Sequence, residues 1–102
     1  MVKHIILWTL KEEYNTDAVK DGIKAGLEGL MGVIPGLLEI AVQTESLPSS
    51  NADVMLYSVF EDAAALKNYA THPAHVEVAN TKVRPFISTR SCMDFEVEYY
   101  VF

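Results

Sequence analysis

Three histidines stand in this chain, and two of them fall within "NYATHPAH", residues 68–75, together with Tyr69. Imidazole is the side chain whose ordinary pKa lies nearest neutrality, so His72 and His75 are candidates for a proton-transferring base, and a phenol such as Tyr69 can donate to an oxygen that gains charge. The third histidine, His4, lies in "VKHIILWTL", where it shares alternate positions with Ile6 and Trp8. Two imidazoles and a phenol in an apolar pocket would offer a base, a partner that fixes its tautomer, and a donor for a developing enolate oxygen. That set suits proton removal beside a carbonyl, and it requires no metal and no organic cofactor. Each residue also has a plainer role available. His72, directly before Pro73, fits a helix cap; His75 fits a hydrogen-bonded helix histidine; His4 could bond a neighbouring backbone group; Tyr69 could be a core aromatic with a wet tip. Three histidines can hold zinc, but His72 and His75 flank a helix start and need not share a face. Cys92 reads as a small buried residue with no base near it in sequence.

The elements that must position these groups follow from periodicity. Residues 2–10 alternate, with Val2, His4, Ile6, Trp8 and Leu10 on one face and Lys3, Ile5, Leu7 and Thr9 on the other, which predicts a strand apolar on both sides. Thr16 and Asp17 open an amphipathic helix carrying Val19, Ile23, Leu27, Leu30 and Ile34, ending near Gly32 before Pro35 and Gly36. A second strand from Leu37 to about Glu45 sets Leu38, Ile40 and Val42 on one face; "SLPSSNAD" is a loop, and "DVMLYSVFE" a third strand. Asp62 caps a short helix with Leu66 and Tyr69 on its core side, Pro73 opens another through about Val83, and Pro85 closes it. From Ser88 onward Met93, Phe95, Val97, Tyr99 and Val101 alternate with Asp94, Glu96, Glu98 and Tyr100 in a last strand, whose acidic row reads as a solvated face. Gly22, Gly26 and Gly29 form a stripe in the first helix that can admit a close neighbour.

This order predicts one α+β domain over residues 1–102: a ferredoxin-like sandwich with a four-stranded, mostly antiparallel sheet. Helices cover one face of such a sheet. Apolar residues on the other face of the first and third strands predict a homodimer, the two sheets packed into a dimeric α/β barrel. The 102 residues suffice for one modest core, and 50% hydrophobic with 22% charged residues is globular composition. A net charge of −6 with eight scattered Lys and Arg argues against nucleic acid and against an anionic membrane surface. One cysteine and a short apolar run near the start point to a cytoplasmic protein with no membrane span.

"VKHIILWTLKEE", "VIPGLLEI", "SVFEDAAALKNYATHPAHVEV" and "CMDFEVE", in that order, resemble the stress-responsive A/B barrel (Dabb) family over nearly the whole chain. The resemblance implies a dimeric α+β barrel. One plant member cyclises a linear polyketide by an aldol reaction; its catalytic histidine matches His75, and its supporting tyrosine and amino-terminal histidine match Tyr69 and His4. The implied site is therefore His75, Tyr69 and His4 in a pocket lined by Ile6, Trp8 and Leu66, taking a small apolar carbonyl or phenolic ligand. In plant members a magnesium ion sits on backbone carbonyls near the end of the first helix, which would correspond to Met31, Ile34 and Leu37. A stress-protective dimer that binds a ligand without turning it over, and a cofactor-free monooxygenase of the kind found in related families, are the alternatives. The tail "EVEYYVF" is expected to extend the last strand and pack on the partner subunit.

Overall fold

The computed structural model describes residues 1–98. Strand β1 (Val2–Leu10) leads through one turn of 3-10 helix (Glu12–Tyr14) to helix α1 (Asp17–Glu28). Strands β2 (Leu37–Gln43) and β3 (Val54–Phe60) follow, then helices α2 (Ala63–Thr71) and α3 (Pro73–Val78), and strand β4 (Ile87–Glu96). The sheet order is β2-β3-β1-β4, antiparallel throughout. This is an α+β, ferredoxin-like fold. The tail from Tyr99, for which a partner contact was expected, lies outside the described residues.

Capping sets the helix starts. Thr16 Oγ1 accepts from the Val19 amide (3.3 Å) at α1, and Asp62 Oδ1 accepts from the Ala65 amide (2.8 Å) at α2. Helix α1 stops at Glu28, short of the expected Gly32, because irregular turns with Gly32 and Gly36 at φ +81° reverse the chain. Gly36 has a second constraint: a Cβ there would lie 2.5 Å from Ala65 Cβ, so this turn packs directly on α2. The last helical segment also departs from expectation. Regular α3 ends at Val78, then Ala79–Val83 form a π-type turn and Arg84–Phe86 a 3-10 turn, so Val83 reaches the core through a widened turn.

On the helix-facing side, Ile6, Trp8 and Leu10 of β1 pack with Leu56 and Phe60 of β3 and with Ile23 and Leu27 of α1. On β2 a register shift between Leu37 and Glu39 reverses parity, so Leu37 and Val42 are buried while Leu38, expected to share a face with Val42, is exposed. The outward edge of β2 is held by side chains of α1. Lys24 Nζ donates to the Val42 carbonyl and Glu28 accepts from the Val42 amide, at 2.8 and 2.9 Å. Lys24 also bonds Glu28, and that bond holds the Glu28 carboxyl below the usual carboxylate range.

Helices do not cover β4, which is exposed along almost its whole length. On the side away from the helices, Met93 pairs with Ile5, Phe95 with Lys3, and Leu7 lies one pair further along. Leu7, Met93 (66% exposed) and Phe95 form an apolar patch on this open face. Among the described residues, no helix is long and apolar enough to cross a membrane.

Candidate active site

His4 sits near the middle of β1, between β3 and β4, and faces the helices, where it is 6% exposed. Its backbone carbonyl accepts from the buried Ser58 Oγ (3.1 Å), which fixes the strand behind the ring. The imidazole makes edge contacts with Phe60 and Tyr69, ring centroids 6.3 and 6.1 Å away. Its Nδ1 hydrogen-bonds to Asp94 Oδ1. A carboxylate only accepts, so the Nδ1 proton is the donor and Nε2 carries the free lone pair in neutral His4.

Tyr69 comes from the last turn of α2, is 2% exposed, and packs against Phe60 at 4.9 Å. Its hydroxyl is buried and has no hydrogen-bond partner. Desolvation drives its pKa well above the ordinary phenol value, so the group is a protonated donor at any physiological pH.

The α2–α3 junction aims the third group. His72 ends one helix and caps the next, its Nδ1 accepting from the Ala74 amide (3.1 Å), with Pro73 in the first position of α3. The chain then folds back, and His75 Nδ1 donates to the Ala70 carbonyl (3.2 Å), one of the acceptors left over at the end of α2. This bond places the His75 proton on Nδ1 and leaves Nε2 as the basic nitrogen. The His75 ring lies 4.1 Å from that of Tyr69, tilted by 36°. Burial lowers the His75 pKa against a smaller opposing effect of the Ala70 bond, with the Arg84 charge also lowering it, so the neutral base prevails at neutral pH.

His4, Tyr69 and His75 line one cavity of about 190 Å³, with Ile6, Trp8, Val83 and Ile87 as apolar wall. That is room for a small molecule. Leu66, expected in the lining, packs partly buried against the core instead and does not border this cavity. Arg84 and Arg90, the chain's two arginines, also border it, and both are exposed. A larger hollow of about 440 Å³ runs along the Ser46–Asp53 loop, but it holds no histidine, cysteine or tyrosine, and its Asp53 already accepts from the Leu10 amide at 2.8 Å. Chemistry favours the smaller cavity.

Two groups beside His4 correct the sequence reading. Asp94, assigned to a solvated acidic row, is the hydrogen-bond partner of His4, because the β1–β4 register sets the two residues opposite each other on the helix-facing side. Cys92, expected to be buried, is exposed and, with no base near it in sequence, lies 3.8 Å from His4 Nδ1 and 3.5 Å from Asp94 Oδ1 in the fold. Only the strand pairing could have revealed either.

The family model for the stress responsive A/B barrel domain matches residues 2–97. The chain belongs to this Dabb family. A dimeric ferredoxin-like protein of unknown function from Bacteroides fragilis is similar, with 31% identity, a TM-score of 0.85, and coverage of 94% of this chain and 95% of that one. Two more distant structures share the fold. A hydroxynitrile lyase from Passiflora edulis has 20% identity and a TM-score of 0.80 over 98% of this chain and 96% of its own. An antibiotic biosynthesis monooxygenase has 14% identity and a TM-score of 0.73 over 95% and 98%. No curated protein matches the sequence. Of the three carbonyls that the Dabb resemblance implies for magnesium, that of Ile34 accepts from the Leu37 amide (3.3 Å) and keeps a second lone pair.

Proposed function

We propose that this Dabb protein is a cofactor-independent enzyme that moves a proton on a small carbonyl compound. The observation that carries the reading is the buried Tyr69 hydroxyl, a donor without an acceptor, beside an imidazole whose tautomer is set by Ala70. His75 Nε2 takes a proton from the carbon next to the carbonyl, and Tyr69 donates to the carbonyl oxygen as it becomes an enolate. His4, oriented by Asp94, offers a second acceptor in the same cavity and can relay the proton. The enolate then adds to a second carbonyl, as in an aldol closure, or is reprotonated. Cleavage of a hydroxynitrile fits the same base: His75 takes the hydroxyl proton as the bond to the nitrile carbon breaks and the carbonyl forms, and the departing cyanide takes that proton from His75 and leaves as hydrogen cyanide. The two arginines at the cavity favour substrates that carry an anionic group.

The test is deuterium exchange at the α-carbon of small ketones and β-keto acids in D2O, followed by NMR. Wild type should exceed buffer, His75→Ala should lose about 10²- to 10⁴-fold, and His72→Ala should lose little. Exchange that is equal in wild type and His75→Ala overturns the reading and leaves a ligand-binding dimer.

The dimer belongs to the same proposal. The open apolar face around Leu7, Met93 and Phe95 fits the face of a second copy, burying of order 1,600 Å² in total. The similar protein from Bacteroides fragilis is dimeric. Sedimentation of Met93→Glu should show monomer where wild type sediments at twice the chain mass; a monomeric wild type would refute the barrel. The thiol of Cys92, free in this chain, fits a reducing compartment such as the cytoplasm.

A further inference from the structure

The β1–β4 seam beside His4 holds a set of groups that proton transfer does not use. Cys92 and Asp94 stand two residues apart on β4 and therefore on one face, and the register brings them against His4. Three ligand atoms of different chemistry converge there, His4 Nδ1, Cys92 Sγ and Asp94 Oδ1, all within 4.8 Å of one another. A tetrahedral ion with bonds of about 2.0–2.3 Å needs ligand atoms about 3.3–3.6 Å apart. The sulfur lies 3.5 Å from Asp94, within that range, and 3.8 Å from His4, a few tenths of an ångström beyond it. The remaining edge is closed by the His4–Asp94 hydrogen bond and opens by rotation of Asp94, whose side chain is 44% exposed. His4 itself is held in place: its side chain is 8% exposed and wedged by Phe60 and Tyr69.

We propose that His4, Cys92 and Asp94 form a binding site for a dication of intermediate softness, zinc above all, with a fourth position open to water. Thiolate with imidazole selects against magnesium and calcium, which take oxygen ligands. The proton balance is definite. In the metal-free protein Nδ1 of neutral His4 donates to Asp94, and Cys92 carries its thiol proton. Binding forms one bond each to nitrogen, sulfur and oxygen; the thiol proton leaves to solvent, and the His4 proton moves from Nδ1 to Nε2. One proton is released per ion. Thiolate and carboxylate together cancel the dication charge, so the site tolerates the neighbouring Arg90 cation. His4 Nε2 then becomes a donor where it was an acceptor, so occupancy inverts what His4 offers to the cavity. The inference stands without the enzymatic reading, since its test uses no substrate.

Cobalt(II) titrated into the full-length chain reports the site by absorbance. The expected result is one ion per chain, visible bands of tetrahedral intensity and a near-ultraviolet thiolate charge-transfer band. Cys92→Ser should abolish that band, and Asp94→Asn should weaken binding at least about 10-fold; both positions are exposed, so the fold is not at stake. Zinc should displace cobalt at equimolar concentration, and magnesium in large excess should not. A wild type without the charge-transfer band, a band that persists in Cys92→Ser, or an affinity unchanged in Asp94→Asn would each overturn the site.

Discussion

Replacing Tyr69 with phenylalanine separates stability from function. The ring contributes contacts with Phe60 at 4.9 Å and with His75 at 4.1 Å, all of which phenylalanine keeps. What is removed is one buried hydroxyl with no partner. Leaving such a group unsatisfied costs about 1–3 kcal/mol, and its removal returns that amount. Taking about 1 kcal/mol as the lower end, a domain of this size should gain at least about 4 °C in Tm. The same change deletes the donor that would stabilise an enolate oxygen, a loss of about 10²–10³ in kcat. Calorimetry of Tyr69→Phe and wild type at one protein concentration gives the first number; α-proton exchange gives the second. A variant less stable than wild type would mean that the hydroxyl is satisfied in the free protein, and the case for an unengaged donor would fall. A more stable variant with undiminished exchange would keep the orphan but remove its role.

His75 links activity and stability to pH. Its folded pKa lies below the ordinary histidine value, chiefly through burial, so kcat/KM should rise through an ionisation below about 6.5 and then level. On acidification the unfolded chain takes up the proton first; stability is therefore flat above about pH 6.5 and falls as pH drops from there towards the folded pKa, a loss that His75→Ala should abolish. NMR titration of the imidazole above 6.5 would contradict both. Two glycines should behave oppositely. A Cβ at Gly22 would meet only Lys82 Cδ at 3.8 Å, so Gly22→Ala should stabilise by up to about 1 kcal/mol, whereas Gly36→Ala should destabilise by about 2 kcal/mol or more, as urea midpoints would show. Neutralising both arginines, Arg84→Gln with Arg90→Gln, should weaken binding of a β-keto acid about 10-fold or more and leave its ethyl ester unchanged; Trp8 fluorescence reads both, and an equal loss would dismiss the charge preference.

Patterning made most of the scaffold legible. Alternation in β1 placed His4, Ile6 and Trp8 towards the helices, and Thr16, Asp62 and Pro73 marked the helix starts where caps form. The errors have local causes. A register shift after Leu37 reverses the parity of β2, which no apolar pattern announces, so Leu38 does not share the buried face of Val42. The turn at Ala79–Val83 widens in a stretch without glycine or proline, so no breaker in the sequence marks it. Of the glycine stripe, Gly26 has a packing reason: a Cβ there would lie 2.9 Å from Val78 Cγ1, so its absence lets α1 approach α3.

The site divides along the same line between local and non-local information. Tyr69 and His75 are joined by five residues, Ala70 to Ala74, and Pro73 with His72 as cap leaves few ways to route them, so their proximity could be inferred from spacing. His4 and Asp94 are 90 residues apart, and their contact depends on which strand lies beside β1 and in which register. Alternation along β4 correctly separates Cys92, Asp94 and Glu96 from Met93 and Phe95 but assigns neither set to a neighbour. The usual inference sends the charged set to solvent and the apolar set to the core. In β4 that inference fails because the helices stop short of this strand: its apolar set is left open on the far side, and its polar set lies at the rim of the helical layer, within reach of His4. An edge strand outside the helix cover thus has two uses for its two faces. The apolar face is available to a second subunit, and the polar face brings an acid and a thiol to a buried imidazole without having to bury them.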